Sequence, residues 1–481
     1  MDNILNFSMF PSTFAGYSND LEKMFTEYAS MLNPNQKPLE ESPDIIPANY
    51  HDIGNYVAKY GLANFQIQAV MEFNGRLDYS KLVKAVRLSV DAEPVLGCRF
   101  VKSDPPYWKR FDDIDNPDKF CSMEEVEDSE EGIKRFLRSP MNMDKDPMLS
   151  VRVVRSGNYD TLCLKINHVC SDAAGTRDYI HLLADIYSHI DSGDTDYRPI
   201  PSSRDRRDLK ELKTALGEDT PDNSWGVHQQ IPCPTFAFPW KNGRIGTTDF
   251  CVCRLPYGQL DIMKRYGKAR GATINDLILT AVFRAMFEIS TPPYGIPMDI
   301  PVTIDLRRHL SNKKADAIRN FSGGIVIRVD RQPEESFEGT LSRVITHTAE
   351  MRKKHPSIFN IRWGEYIEKL SFNQLCAYYK GMSQSVELAS QSPFYFLNTC
   401  SPVLSNFGFI SRSLINFGES SVIDAYIIPP AVRAPGILLV ASTYNNILSV
   451  GVGFYETSVS KSAMDYLLNK ICDQLVEGCR E

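Results

Sequence analysis

The sequence is poor in everything that would carry a chain into a membrane. No apolar stretch approaches the roughly 20 residues a membrane-spanning helix needs, and MDNILNFSMF sets no basic segment ahead of its apolar residues, as a secretory signal would. Export and insertion are not expected, and a cytoplasmic location is. Positive charge is in deficit: 53 Lys and Arg against 60 Asp and Glu leave a net charge of -7, without the basic excess that marks nucleic-acid binding. Metal-site spacing is missing too. The closest cysteines, Cys251 and Cys253, stand one residue apart, not in the CxxC spacing of a zinc or redox site, so no metal is expected. Eleven cysteines in 481 residues are sparse and odd in number, which points to reduced thiols in the cytosol. No repeat at solenoid spacing occurs.

What is present is an ordinary globular composition, 43% hydrophobic and 23% charged, in a chain longer than single cores usually grow. Two domains are expected. Residues 1–45 read as an N-terminal helical extension, in which Leu21, Met24, Phe25, Tyr28 and Leu32 share one helical face behind a Ser18/Asn19 cap. A first α/β subdomain spans 46–205. Phe65, Ile67, Ala69, Met71 and Phe73 alternate as in a strand, LDYSKLVKAVRLSV reads as a helix and VLGCRFV as a second strand. SMEEVEDSEEGIKRFL reads as an acid-led helix, and MLSVRVVRSGNYDTLCLKIN as two strands about a Ser-Gly-Asn turn. Residues 206–245, rich in proline and charge, form a connector. The charge-alternating run SSRDRRDLKELK reads as solvated chain rather than a docking patch. A second α/β subdomain spans 246–481, with strands in DFCVCRLP, PVTIDLRRHL, GGIVIRVD, GILLVAST and ILSVGVGFYE. Its helix ATINDLILTAVFRAMFEI opens on a Thr273/Asp276 capping box.

The stretch INHVCSDAAGTRDYIHLLAD carries one spacing twice, His168 with Asp172 and His181 with Asp185. Position separates them. Ile180, Leu183, Ile186, Tyr187 and Ile190 form the apolar stripe of a helix starting near Thr176, which leaves Asp178, His181, Asp185 and Ser188 on the opposite face. His181 and Asp185 read as a solvated pair worth a few tenths of a kcal/mol. His168 instead continues the inward alternation of Leu162, Leu164 and Ile166 as the strand ends. Ser171, Ala173, Ala174 and Gly175 follow, small residues that let a loop turn tightly and leave room for a ligand. A histidine there suits a general base, with a hydrogen-bonded core histidine as the plain alternative. Cys170, in the same turn, reads as packing rather than a nucleophile.

In this setting HxxxD resembles the motif of the CoA-dependent acyltransferase superfamily, which includes chloramphenicol acetyltransferase, nonribosomal peptide condensation domains, polyketide-associated acyltransferases, wax ester synthases and alcohol acyltransferases. Other segments agree in order. FNGRLDYSKLVKAVRLSVDAEPVLGCRFV is similar to the family's opening strand, helix and strand, and NMDKDPMLSVRVVR to the segment before the motif. ATINDLILTAV, VTIDLRRHL and LSNFGFI are similar to a second-half helix, an arginine-bearing strand and a late glycine motif. The resemblance spans roughly residues 50 to 475.

It implies two chloramphenicol acetyltransferase-like α/β sandwich domains with a tunnel between them. His168 would be the catalytic base, and Asp172 a structural carboxylate paired with Arg307, or failing that Arg308. Gly175, Ser405, Asn406 and Gly408 would shape the tunnel. The implied reaction moves an acyl group, other than amino-acyl, from a thioester to a hydroxyl or amine. Acyl-CoA or acyl-phosphopantetheine would be the co-substrate, with no permanently bound cofactor. The implied partners are a small alcohol or amine acceptor and an acyl carrier protein, with no nucleic acid, and the chain would be a monomer. Asn167 and Ala173 stand where condensation domains usually carry histidine and glycine, which weighs against amide-forming condensation. The second reading is a noncatalytic module that binds a thioester, carrier domain or protein partner.

Overall fold

The computed structural model describes residues 44–60, 63–194, 196–202, 212, 214–215, 238–241, 246–353, 370–382 and 402–480. The expected N-terminal helix and nearly all of the connector lie outside them. In the first half β1 (Ile45–Pro47), α1 (Tyr50–Ala58), β2 (Gln66–Phe73), α2 (Tyr79–Ala92), β3 (Cys98–Val101), β4 (Tyr107–Arg110) and β5 (Cys121–Glu125) precede α3 (Ser129–Arg138), β6 (Leu149–Ser156), β7 (Tyr159–Asn167) and α4 (Ala173–Asp191). The second half runs β8 (Thr248–Arg254), α5 (Gln259–Arg270), α6 (Ile274–Ser290), β9 (Pro297–Asp305), β10 (Ser322–Asp330), α7 (Phe337–Lys353) and α8 (Phe372–Met382). It ends with β11 (Pro402–Phe409), β12 (Asn416–Phe417), β13 (Ser420–Ile428), β14 (Ile437–Tyr444), β15 (Ile447–Tyr455) and α9 (Lys461–Gly478).

Two six-stranded mixed sheets carry the two lobes, in the orders β12-β13-β2-β7-β6-β5 and β10-β9-β11-β14-β15-β8, beside a three-stranded sheet β1-β4-β3. Each large sheet backs its own apolar core. The alternation along β2 is as expected, since Phe65, Ile67, Ala69, Met71 and Phe73 all lie in the first core. Asp78 caps α2 through the Lys81 amide, and the Thr273/Asp276 capping box opens α6.

Three expectations need correction. SMEEVEDSEEGIKRFL is not one helix: Cys121–Glu125 pairs parallel with β6 as an edge strand, and the helix starts at Ser129 behind the Asp128 cap. An open sheet edge decides the state of a short segment that composition leaves ambiguous. VLGCRFV forms a strand as expected, and that strand lies in the small sheet. The segment boundary at 246 does not divide the sheets, because β12 and β13 come from beyond it and complete the first sheet through antiparallel pairing of β13 with β2. The thiols are not all free: Cys253 on β8 and Cys472 on α9 form a disulfide, while the other described cysteines are free. Those two are 219 residues apart, so only the packing of α9 on β8 brings them together.

Candidate active site

β7 lies between β2 and β6 in the first sheet, and it sends Leu162, Leu164 and Ile166 into the core. The strand ends at Asn167, and the His168 amide then donates to the Phe65 carbonyl at 2.7 Å. That bond ties the turn to the start of β2. Asn167 Oδ1 accepts from the Val169 amide at 3.0 Å, and the buried Cys170 thiol donates to the Asn167 carbonyl at 3.2 Å. Cys170 therefore packs the turn, as expected. Asp172 then caps α4 by accepting from the Gly175 amide at 2.8 Å.

The turn leaves the His168 ring partly buried, with two asparagines about its Nδ1. Asn320 Nδ2 donates to the carbonyls of His168 and Val169 at 3.0 and 3.1 Å, which fixes the amide so that Oδ1 faces the ring, 3.0 Å from Nδ1. An amide oxygen only accepts, so the hydrogen-bond network assigns the ring proton to Nδ1 and leaves Nε2 with a free lone pair. Asn55 Nδ2 also stands 3.4 Å from Nδ1. Both are then donors, and the shorter Asn320 contact governs because Asn55 Nδ2 is already committed to the His168 carbonyl at 2.9 Å. Burial pushes the His168 pKa below its ordinary value, against the opposing pull of Asp172 and Asn320. The imidazole is held neutral.

Asp172 and Arg307 pair as expected. Arg307 donates from Nη1 and Nη2 to the two carboxylate oxygens at 2.9 and 3.1 Å, with both side chains almost wholly buried. The carboxylate also accepts from the Phe321 amide at 2.6 Å and the Ser322 hydroxyl at 3.1 Å. Burial opposes its charge, but the guanidinium and these donors win and hold its pKa down at about 2. Arg307 Nη2 further donates to the Arg319 carbonyl at 2.9 Å. Residues 319–322 thus clasp the loop from the second lobe, with Asn320 on the histidine and its neighbours on the aspartate. Arg308, the second choice, is exposed.

Gly175 sits where side chains cannot. A Cβ there would lie 2.6 Å from Ser171 Oγ and 3.3 Å from the Arg319 carbonyl. The late motif lies on β11, between β9 and β14. Ser405 accepts from Thr303 Oγ1 at 2.9 Å, and Asn406 Nδ2 lies 3.4 Å from Asn275 Oδ1. The sheet register shifts between Asn406 and Gly408, where Gly408 takes φ +82°, a conformation glycine adopts without strain. The Phe407 carbonyl accepts from Arg177 of α4 at 3.3 Å. The motif therefore joins the lobes beside the loop, and its hydrogen bonds go to these partners rather than to His168.

The second histidine departs from expectation. His181 is partly buried, its Nε2 has no partner among the described residues, and burial with Arg177 and Lys314 lowers its pKa to about 4. Asp185 accepts instead from Tyr197 at 3.2 Å. Helical periodicity assigns this face to solvent, but Asp178, His181 and Ser188 on it are partly buried and only Asp185 is exposed. Sequence reasoning also missed Asn320, Asn55 and His51, for which no periodicity or spacing gives a signal.

The Condensation domain family matches residues 61–203. No curated protein matches the chain. Among solved structures, the chain is similar to the TRI3 trichothecene 15-O-acetyltransferase from Fusarium sporotrichioides at 12% identity and TM-score 0.72, covering 94% of this chain and 99% of that one. The first condensation domain of the CDA synthetase follows at 15% identity and TM-score 0.65, over 92% and 98% of the two chains. Polyketide synthase associated protein 5 from Mycobacterium tuberculosis aligns at 12% identity and TM-score 0.59, over 90% and 98%. Identities this low speak to fold alone. Residues 61–203 thus match the Condensation domain family, and along nine-tenths of its length the chain shares the fold of these structures.

Proposed function

We propose that the protein is an acyltransferase that moves an acyl group from a thioester, acyl-CoA or acyl-phosphopantetheine on a carrier protein, to the hydroxyl or amine of a small acceptor. The observation that carries this reading is the free Nε2 lone pair of a partly buried, neutral His168, assigned by the Asn320 contact. The thioester is already activated, so the protein must deprotonate the acceptor, hold it against the carbonyl and stabilise the oxyanion. Nε2 takes the acceptor proton as the heteroatom bonds to the carbonyl carbon. The tetrahedral intermediate then collapses, the C–S bond breaks, and the imidazolium returns its proton to the departing thiolate. Asp172 moves no proton in this scheme. Its charge is spent on Arg307 and three further donors, and its work is to hold the loop.

Thiol release tests the reading. Acceptor-dependent liberation of free thiol should fall by about 100-fold to 10,000-fold in His168→Ala, the usual worth of a general base, with the fold intact by circular dichroism. His181→Ala, with the same HxxxD spacing, should stay close to the wild-type rate. Equal losses in both variants, or none in His168→Ala, would overturn the assignment. No release with any donor or acceptor would favour the noncatalytic thioester-binding or partner-binding module.

A further inference from the structure

α1 presents Asn55 to the site, where its Nδ2 donates to the His168 carbonyl at 2.9 Å. His51 stands four residues earlier on the same helix, and residues i and i+4 share a face with their Cβ atoms about 6 Å apart. The face that carries Asn55 to His168 therefore carries His51 beside it. Electrostatics agree with that placement, because the groups that act on His51 are Asp172, Arg319, His168 and Arg307, all of the HxxxD loop and its clasp. Burial first, against the pull of Asp172, lowers its pKa to about 3. The ring packs against Tyr50, centroids 4.1 Å apart, and its Nδ1 is buried with no hydrogen-bond partner among the described residues.

A buried polar atom without a partner costs free energy that a satisfied one does not. A neutral imidazole carries no charge for a phosphate, but it offers one donor and one acceptor, the complement of a hydroxyl. The attacking heteroatom is already served by Nε2 of His168. We propose that His51 is a substrate-positioning residue whose Nδ1 hydrogen-bonds a second hydroxyl of the acceptor, so that the acceptor class is a diol or polyol. This rests on the acyltransferase reading above.

The experiment measures thiol release from acyl-CoA thioesters of graded chain length, with cyclic diols and the matching mono-alcohols as acceptors. Wild-type protein should prefer a diol over its mono-alcohol by about 10-fold in kcat/KM, the worth of one hydrogen bond in a site built for it. His51→Ala should erase that preference by raising KM for the diol more than KM for the mono-alcohol. Two further variants separate binding from folding. Asn can place an amide group near the position of Nδ1 and Gln near that of Nε2, so His51→Asn should restore the preference and His51→Gln should not. A wild-type enzyme that turns over but shows no diol preference, or a preference that survives His51→Ala, overturns the inference and leaves the acyltransferase reading standing. Absence of turnover by wild-type protein with every hydroxyl or amine acceptor, from acyl-CoA and from acyl-phosphopantetheine on a carrier protein alike, overturns both.

Discussion

An imidazole acts as a base only through the nitrogen that lacks the proton, so what touches Nδ1 matters as much as what lies before Nε2. Asn320 decides this at His168 because its own nitrogen is committed to two carbonyls, leaving only its oxygen for the ring. Replacing Asn320 with alanine should lower kcat by about 10-fold to 100-fold with KM little changed, since ring orientation and tautomer are lost while binding is not. Asn320→Asp gives a sharper reading. Burial lowers the His168 pKa, so the wild-type kcat/KM should hold its plateau below the usual histidine range, near 6.5, and fall only at lower pH. A carboxylate at Asn320 would stabilise the imidazolium, raising the pKa and moving that limb to higher pH. A pH profile unmoved by the charge would show that Asn320 packs the loop without governing the ring.

At the scale of elements, the HxxxD loop is a strand end and a helix start fastened by a segment from the other lobe. β7 fixes His168 from one side, the Asp172 cap starts α4 on the other, and residues 319–322 close over both. Asp172 and Arg307 are the centre of that fastening. Removing either alone strands a buried charge and should cost about 3 to 5 kcal/mol, whereas the double variant Asp172→Asn with Arg307→Met should cost far less than the sum. Denaturant unfolding of the four proteins checks this. Small and additive losses would mean that the loop is held by its backbone alone. A methyl at Gly175, pressed against Ser171 and the Arg319 carbonyl, strains the same junction.

Across the whole molecule, the lobes are interleaved rather than merely adjacent. β13 leaves the second half of the chain to pair with β2, Arg254 of β8 pairs with Asp424 of β13, and Arg138 of α3 reaches Glu456 at 2.7 Å. Acid stability should record how much of the interior holds neutral histidine. His168, His181 and His51 all have folded-state pKa values lowered by burial, the last two to about 4 and about 3. Below about 6.5 the unfolded chain binds protons that the folded chain refuses, so their contribution is full above that pH and declines as pH falls toward 4 and 3. The lowered pKa of Asp172, about 2 against an ordinary 3.8, adds a further loss as pH drops from about 4 toward 2. Thermal melts from pH 7 to pH 3 should show a continuous fall. His168→Asn and His51→Asn should flatten its upper part, and a flat wild-type profile over pH 6 to 4 would contradict buried neutral histidines.

Local sequence determined a good deal of this. The alternation of β2, the capped helices α2 and α6, and the hairpin of β6 and β7 were all legible, because side-chain period and capping are properties of near neighbours. His168 at a strand end was legible for the same reason, and its order with Asp172, Arg307 and the late glycine motif pointed to the superfamily. Only tertiary structure decided the rest. β5 became a strand because β6 offered an open edge, and β13 crossed to the first sheet because β2 did. His181 lost part of its solvent to burial, with Arg177 and Lys314 near enough to act on it. Asn320, Asn55 and His51 reach the site from elements far from the loop in sequence, 152 residues away for Asn320 and 113 for Asn55. Hydrogen bonds and burial at such separations depend on where packing leaves each side chain, and no spacing along the chain encodes that.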